Sequence, residues 1–341
     1  MKTTNLIARL AARFTIAGVL LSSAPQAGET PTLPDFKPVP PAIKARNLPV
    51  DPKKGYLVKA LKPNVYLITD GGYQSLFVTT GKGVILLDAP PSYGTKIVRA
   101  VAEATNEPIV DLVYSHSHLD HISGAVEVMK EVPSVKIIAE ERVAEFLREK
   151  SDLRRPIPTV TFKDHYTLTL GSATIEMKHG NWHSNEGDLY IYLPAKKVLM
   201  AIDTLPPGSA QFMDLDLTAN FRDYLAMFDK VLSYDFDVLV GGHLGFPGDR
   251  HDVQVAKDYT MDVYKTVKRI HDSTDQAKVV TQAAAKYGWD NKMALFSSLL
   301  DPMMDECAKE IISRWSDRLA SVDVYARTHC HTALIYARWD D

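Results

Sequence analysis

Six consecutive residues, His116-Ser117-His118-Leu119-Asp120-His121, carry three imidazoles and one carboxylate. Imidazole nitrogens and carboxylate oxygens are good ligands for zinc and related divalent ions. The run follows an apolar, strand-like stretch ending at Ser115 and leads into a helix-like one. Side chains alternate along an extended segment, so His116 and His118 point to the same side. Asp120 and His121 fall at the turn into the helix and can face a second point nearby. The pattern is too ordered for chance in a chain with 11 histidines among 341 residues.

Three further residues follow in order. His183 lies in Gly180-Asn181-Trp182-His183-Ser184, a turn between two strand-like stretches. Asp203 closes the apolar stretch 198–202. His243 lies in Gly241-Gly242-His243-Leu244-Gly245, after the apolar stretch 238–241. Each stands where a strand stops, which is where α/β folds place their sites. Any one of them reads equally well as structural. Together with the first four they make seven ligands, enough for two divalent ions, with zinc first and iron or manganese as alternatives.

Other candidates carry less. His165 and His179 fall in strand-like segments, and His251 and His271 on helices; all four read as structural or solvated. His329-Cys330-His331 has no further metal partner in view and reads as structural or disulfide-bonded. Met303-Met304 reads as core. Tyr73, Trp182, Phe212, Met213 and Phe246 lie beside the ligand motifs. They could wall an apolar substrate pocket, and packing alone is an equal reading for each.

The elements that must position these residues show in the hydrophobic pattern. Strand-like runs fall at 64–69, 75–79, 83–87, 110–115, 135–139, 166–170, 173–178, 188–193, 198–202 and 238–241. Helix-like runs fall at 93–105, 122–132, 140–150 and 221–233. This mixture is α/β in character. After about residue 248 the pattern turns helical, at 252–271, 276–286 and 293–319, while 322–339 reads as a strand or hairpin.

The first residues read as an export signal: Lys2, Arg9 and Arg13, then the apolar stretch 14–21, then small residues up to Ala27. Seven prolines between residues 31 and 52 read as an extended arm. The expected layout is therefore a signal peptide at 1–27, an arm at 28–55, the main domain at 56–250 and a mainly helical C-terminal appendage at 251–341. Export places the protein in the periplasm or outside the cell. Its two cysteines, Cys307 and Cys330, are then expected to pair. A net charge of -3 and no basic run give no sign of a nucleic-acid partner. The expected partner is a small-molecule substrate, with no stable membrane anchor and room for a homo-oligomer.

On these motifs the sequence resembles the metallo-β-lactamase superfamily across about residues 60–248. The resemblance implies a four-layer αβ/βα sandwich with a dinuclear metal site at one edge. It implies that His116, His118 and His183 hold one ion, that Asp120, His121 and His243 hold the other, and that Asp203 bridges them. Asp88, in Leu86-Leu87-Asp88-Ala89-Pro90, matches the family's first acidic motif and supports the metal loop from behind. An aspartate at 203 resembles the glyoxalase II-like thioesterases and the lactonases more than true β-lactamases. His118 stands where the oxygen-reducing branch has a glutamate. The implied function is hydrolysis of an ester, lactone or thioester by a hydroxide bound between two metals, with Asp120 acting at the leaving group. The alternatives are a β-lactamase-type amide hydrolase, a mononuclear iron enzyme resembling the persulfide dioxygenases, and a non-catalytic metal-binding protein.

Overall fold

Residues 34–184 and 187–340 are described by the computed structural model of the chain. The proposed export signal lies outside them. The described residues from Phe36 onward form one compact unit.

The apolar runs become the strands of two sheets, some buried along their whole length and others alternating buried and exposed residues. The first sheet has seven strands in sequence order: β1 (Leu57–Lys62), β2 (Val65–Thr69), β3 (Gln74–Thr79), β4 (Val84–Leu87), β5 (Ile109–Val113), β6 (Lys136–Glu140) and β7 (Val160–Phe162). Pairing is antiparallel from β1 to β4 and parallel from β4 to β7. The second sheet runs β12 (Val238–Val240), β11 (Val198–Met200), β10 (Asp188–Leu193), β9 (Ala173–Gly180), β8 (His165–Leu170). Only β11 and β12 pair in parallel within it.

Alternation along the strands sorts the side chains into layers. Val65, Leu67, Leu76, Val78, Ile85 and Leu87 meet Ile175, Met177, Leu189, Ile191 and Met200 between the sheets. Ile68, Phe77, Leu86 and Leu112 face outward from the first sheet. There they pack under the helices α2 (Ile97–Ala102), α4 (Ala125–Glu131) and α5 (Glu141–Lys150), while the short α1 (Pro41–Lys44) and α3 (Leu119–Ile122) lie in the arm and the metal loop. On the far face of the second sheet, Tyr190, Leu199 and Leu239 join α7 (Phe221–Leu232), α8 (Arg250–Ser273), α10 (Lys292–Trp315) and α11 (Val322–Trp339) in one core. The short α6 (Met213–Leu217) and α9 (Gln276–Tyr287) are the remaining α-helices among the described residues. Helices, sheet, sheet and helices make the four layers.

Two details depart from the sequence reading. Residues 322–339 are a helix, not a strand or hairpin: Val322, Ala326, His329, Cys330, Ala333, Leu334 and Ala337 are the buried ones, at helical spacing. The short edge strands β1 and β7 were not anticipated, because neither has a clean apolar pattern. The arm from Phe36 onward is tied to the rest of this unit. The Arg46 guanidinium grips Asp252, the third residue of α8, through two bonds of 2.7 and 2.6 Å. The expected bridge is present: Cys307 of α10 is bonded to Cys330 of α11. Among the described residues no helix is long and apolar enough to cross a membrane.

Candidate metal centre

The seven residues singled out above come together at the ends of strands from both sheets. β5 delivers the His116–His121 loop. Asp88 follows β4 in a left-handed conformation (φ 63°) and accepts the Ser115 amide at 2.8 Å. From the other side, Arg155 donates to the Ser117 carbonyl at 2.7 Å. His118 is the N-cap of α3, so Asp120 and His121 stand in its first turn. Asp203, just past β11, is also left-handed (φ 54°), and its amide donates to Gly241 at 3.0 Å. Gly242, just past β12, has φ 92°; a Cβ there would lie 3.0 Å from His121 Cε1 and 2.8 Å from Ile202. Only glycine lets His243 close over the centre.

The His183 turn is fixed by a residue the sequence reading missed. The buried Asp188 carboxylate, at the start of β10, accepts the amides of Trp182 (3.0 Å), His183 (2.8 Å) and Ser184 (3.1 Å), plus the Ser184 hydroxyl (2.9 Å). Burial still pushes Asp188 up to about 6. A carboxylate five residues beyond a histidine in a turn was the only signal. Asp216 was also missed: its carbonyl accepts from His183 Nδ1.

The donor atoms face one another closely. His116 Nε2 and His183 Nε2 each lie 3.3 Å from Asp203 Oδ2, and His183 Nε2 lies 2.9 Å from His118 Nδ1. On the other side, His121 Nε2 and His243 Nε2 lie 3.3 and 3.1 Å from Asp203 Oδ1, and 3.6 and 3.7 Å from Asp120 Oδ2. Two potential metal-holding groups result: His116, His118, His183 and Asp203, and then Asp120, His121 and His243. Around a tetrahedral ion bound at ~2.0–2.1 Å, ligand nitrogens lie about 3.3 Å apart, close to these separations.

Charge and burial suit groups that could hold a cation. His116 Nε2 and Asp203 Oδ1 are buried atoms without a hydrogen-bond partner, which is costly unless a cation faces them. Burial drives His116 well below its ordinary value and His118 down to about 4, so both present neutral imidazole. Burial works against His121 as well, but the Asp203 charge lifts it to about 9, so an ion bound there must displace a proton from His121. Burial would raise Asp203; the facing histidines, His121 first, hold it well below the carboxylate range. The carboxylate is thus anionic, and the residues fit metal binding.

Of the five pocket candidates, Tyr73 stands at the centre, its ring 5.0 Å from that of His243 and 5.9 Å from that of His121. Phe212 and Met213 are exposed on the turn that leads to Asp216. Trp182 and Phe246 are corrections. Trp182 is 1% exposed, packs on Tyr190 and donates to the Ile202 carbonyl. Phe246 is buried beneath the Arg46 guanidinium. Both pack the fold and offer no face to a ligand. His165, His179, His251 and His271 lie away from the cluster, and Met303 and Met304 are core. His331 is exposed, and His329 is buried against Tyr259.

The model of the metallo-beta-lactamase superfamily matches residues 68–243, just over half of the sequence. The chain belongs to the metallo-beta-lactamase superfamily. Its fold is similar to that of a metallo-beta-lactamase from Pontibacter korlensis, with a TM-score of 0.51 and 21% identity over 60% of this chain and 97% of that one. It is also similar to a linear primary-alkylsulfatase from Pseudomonas sp. (strain ATCC 19151), 22% identical over 240 residues. That match takes in 57% of this chain, which spans only 45% of the relative's length. Family, fold and ligand cluster together fit a metal-dependent hydrolase.

Proposed function

We propose that the chain cleaves an ester, lactone or thioester bond in a substrate with an apolar organic group, using two divalent ions. The carrying observation is Asp203: its two carboxylate oxygens face the two histidine groups separately, one each. His116, His118 and His183 would hold one ion, Asp120, His121 and His243 the other, with Asp203 shared. Bound there, the ions supply an activated water and Lewis-acid polarisation of the substrate oxygen.

The chain's own residues do the rest. Asp203 stays deprotonated throughout the neutral range and keeps both groups in register. Asp120 is 41% exposed, so its carboxyl can reach outward to a leaving group. The buried floor of Asp88, Ser115 and Ser117 keeps the loop rigid. The surrounding segments carry exposed apolar side chains. Leu244 follows His243, Phe212, Met213 and Leu217 border Asp216, and Ile157 lies on the Arg155 loop. Such a rim favours an alkyl or aryl group over a polyanion.

A second reading has a specific observation in its favour. The similarity to a protein named linear primary-alkylsulfatase points to a sulfate ester of an alkyl alcohol, which suits the same rim. An exported location is part of the proposal, and the Cys307–Cys330 bridge fits an oxidising compartment.

Zinc-loaded protein should be assayed on aryl esters, lactones, thioesters, primary alkyl sulfates, phosphodiesters and β-lactams. The proposal expects kcat/KM to be highest on carboxyl esters, lactones or thioesters and to rise with alkyl length. Alkyl sulfates in the lead select the second reading. A β-lactam or phosphodiester leading by tenfold, about 1.4 kcal/mol, rejects both.

A further inference from the structure

Residues 214–217 run Asp-Leu-Asp-Leu, and all four have φ between 54° and 58°. A left-handed run of non-glycine residues is unfavourable and persists only where its surroundings dictate it. Much of what dictates it here comes from the C-terminal helix. The His329 Nε2–H donates to the Phe212 carbonyl at 2.9 Å. Tyr259 donates its hydroxyl to His329 Nδ1 at 2.7 Å, which fixes which nitrogen carries the proton. Thr328 accepts the Asp214 amide at 3.0 Å. Inside the turn, Asp216 accepts the Phe212 amide at 2.9 Å.

A hydrogen bond joins the turn to the metal centre. The Asp216 carbonyl accepts from His183 Nδ1. A carbonyl only accepts, so His183 must hold its proton on Nδ1. That leaves the Nε2 lone pair directed at Asp203 Oδ2 and His118. Partners of this kind orient a ligand and set its basicity. His329 itself is fully buried, both its ring nitrogens are engaged, and it lies outside both ligand groups.

We propose that His329 is a positioning residue for His183: from α11 it holds the left-handed turn whose Asp216 carbonyl fixes the His183 tautomer. The C-terminal helices then form part of the metal centre instead of an appendage to it. This rests on the reading of His183 as a ligand.

The test uses full-length mature protein labelled with ¹⁵N-histidine. In the metal-free state, wild type should show His183 as the Nδ1–H tautomer. His329→Leu should show a mixture of tautomers, with zinc affinity at the His116/His118/His183 group down about tenfold or more. His329→Gln keeps a donor toward Phe212 and should restore both within about threefold. If His329→Leu does not fold, Thr328→Val removes the Asp214 anchor instead and should produce a smaller mixture. A single unchanged His183 tautomer in His329→Leu, or in Thr328→Val where that is the variant used, overturns the proposal. Wild-type protein that binds no zinc overturns the ligand reading instead, and the tautomer readout does not depend on it.

Discussion

Asp203 Oδ1 lies 3.1 Å from His243 Nε2, while the other oxygen of the same carboxylate lies 3.3 Å from His183 Nε2. One side chain from the end of β11 therefore serves histidines that arrive from β9 and β12. Asp203→Ala removes the shared ligand and leaves three on each side. It should lower zinc content below two per chain and cut activity on the order of a hundredfold or more, with the far-ultraviolet circular dichroism unchanged. Unchanged stoichiometry and rate would show that Asp203 does not bridge.

Asp188 holds the His183 turn through three amides and a hydroxyl. Asp188→Ala would leave those buried donors without partners, at a cost on the order of 2–3 kcal/mol. Urea denaturation should show that loss, together with weaker zinc binding. Asp188→Asn, which keeps an acceptor oxygen, should recover part of both. A midpoint within experimental error of wild type in Asp188→Ala would contradict this role.

The cluster was legible in the sequence because its ligands stand at strand ends in a short, ordered motif. The groups that orient them were not. Asp188 left one weak local signal, its place five residues beyond His183, while Asp216, Arg155 and His329 act across long sequence separations that no local spacing marks. The α/β mixture was legible from the apolar runs, while the four layers came with the family resemblance. α11 was misread because Val322, Val324, Tyr325, Thr328 and Ile335 favour strands by type. Its true period lies in the small buried residues Ala326, Cys330, Ala333 and Ala337, which allow close packing against α8 and α10. Trp182 and Phe246 were misplaced because proximity to a motif in sequence says nothing about which way a ring points.

His329 gives the fold a pH dependence. Burial pushes its imidazole down to about 4 from 6.5, although the Phe212 and Gln211 carbonyls oppose this. Between these two values the unfolded chain takes up a proton that the folded chain does not, so stability falls as pH drops through that window. From pH 7 to 4.5 the loss assignable to His329 is about 2–3 kcal/mol. Urea curves of wild type and His329→Gln should converge by that amount on acidification. Parallel pH dependences would contradict it.

The Cys307–Cys330 bridge closes a loop of 23 positions between α10 and α11. In the chain-entropy picture that is worth about 3 kcal/mol. Thiol titration of denatured, unreduced protein should find no free thiol, and the double variant Cys307→Ala/Cys330→Ala should melt at a lower temperature. Two free thiols per chain would contradict the pairing.

The most direct test of the central claim is metal content measured beside activity. Protein purified without chelator, loaded with zinc and dialysed should carry about two ions per chain by mass spectrometry. Chelation should remove ions and ester hydrolysis together, His116→Ala should lose both, and added zinc should restore wild type alone. Stably metal-free protein that hydrolyses its substrate at the full rate would contradict the account.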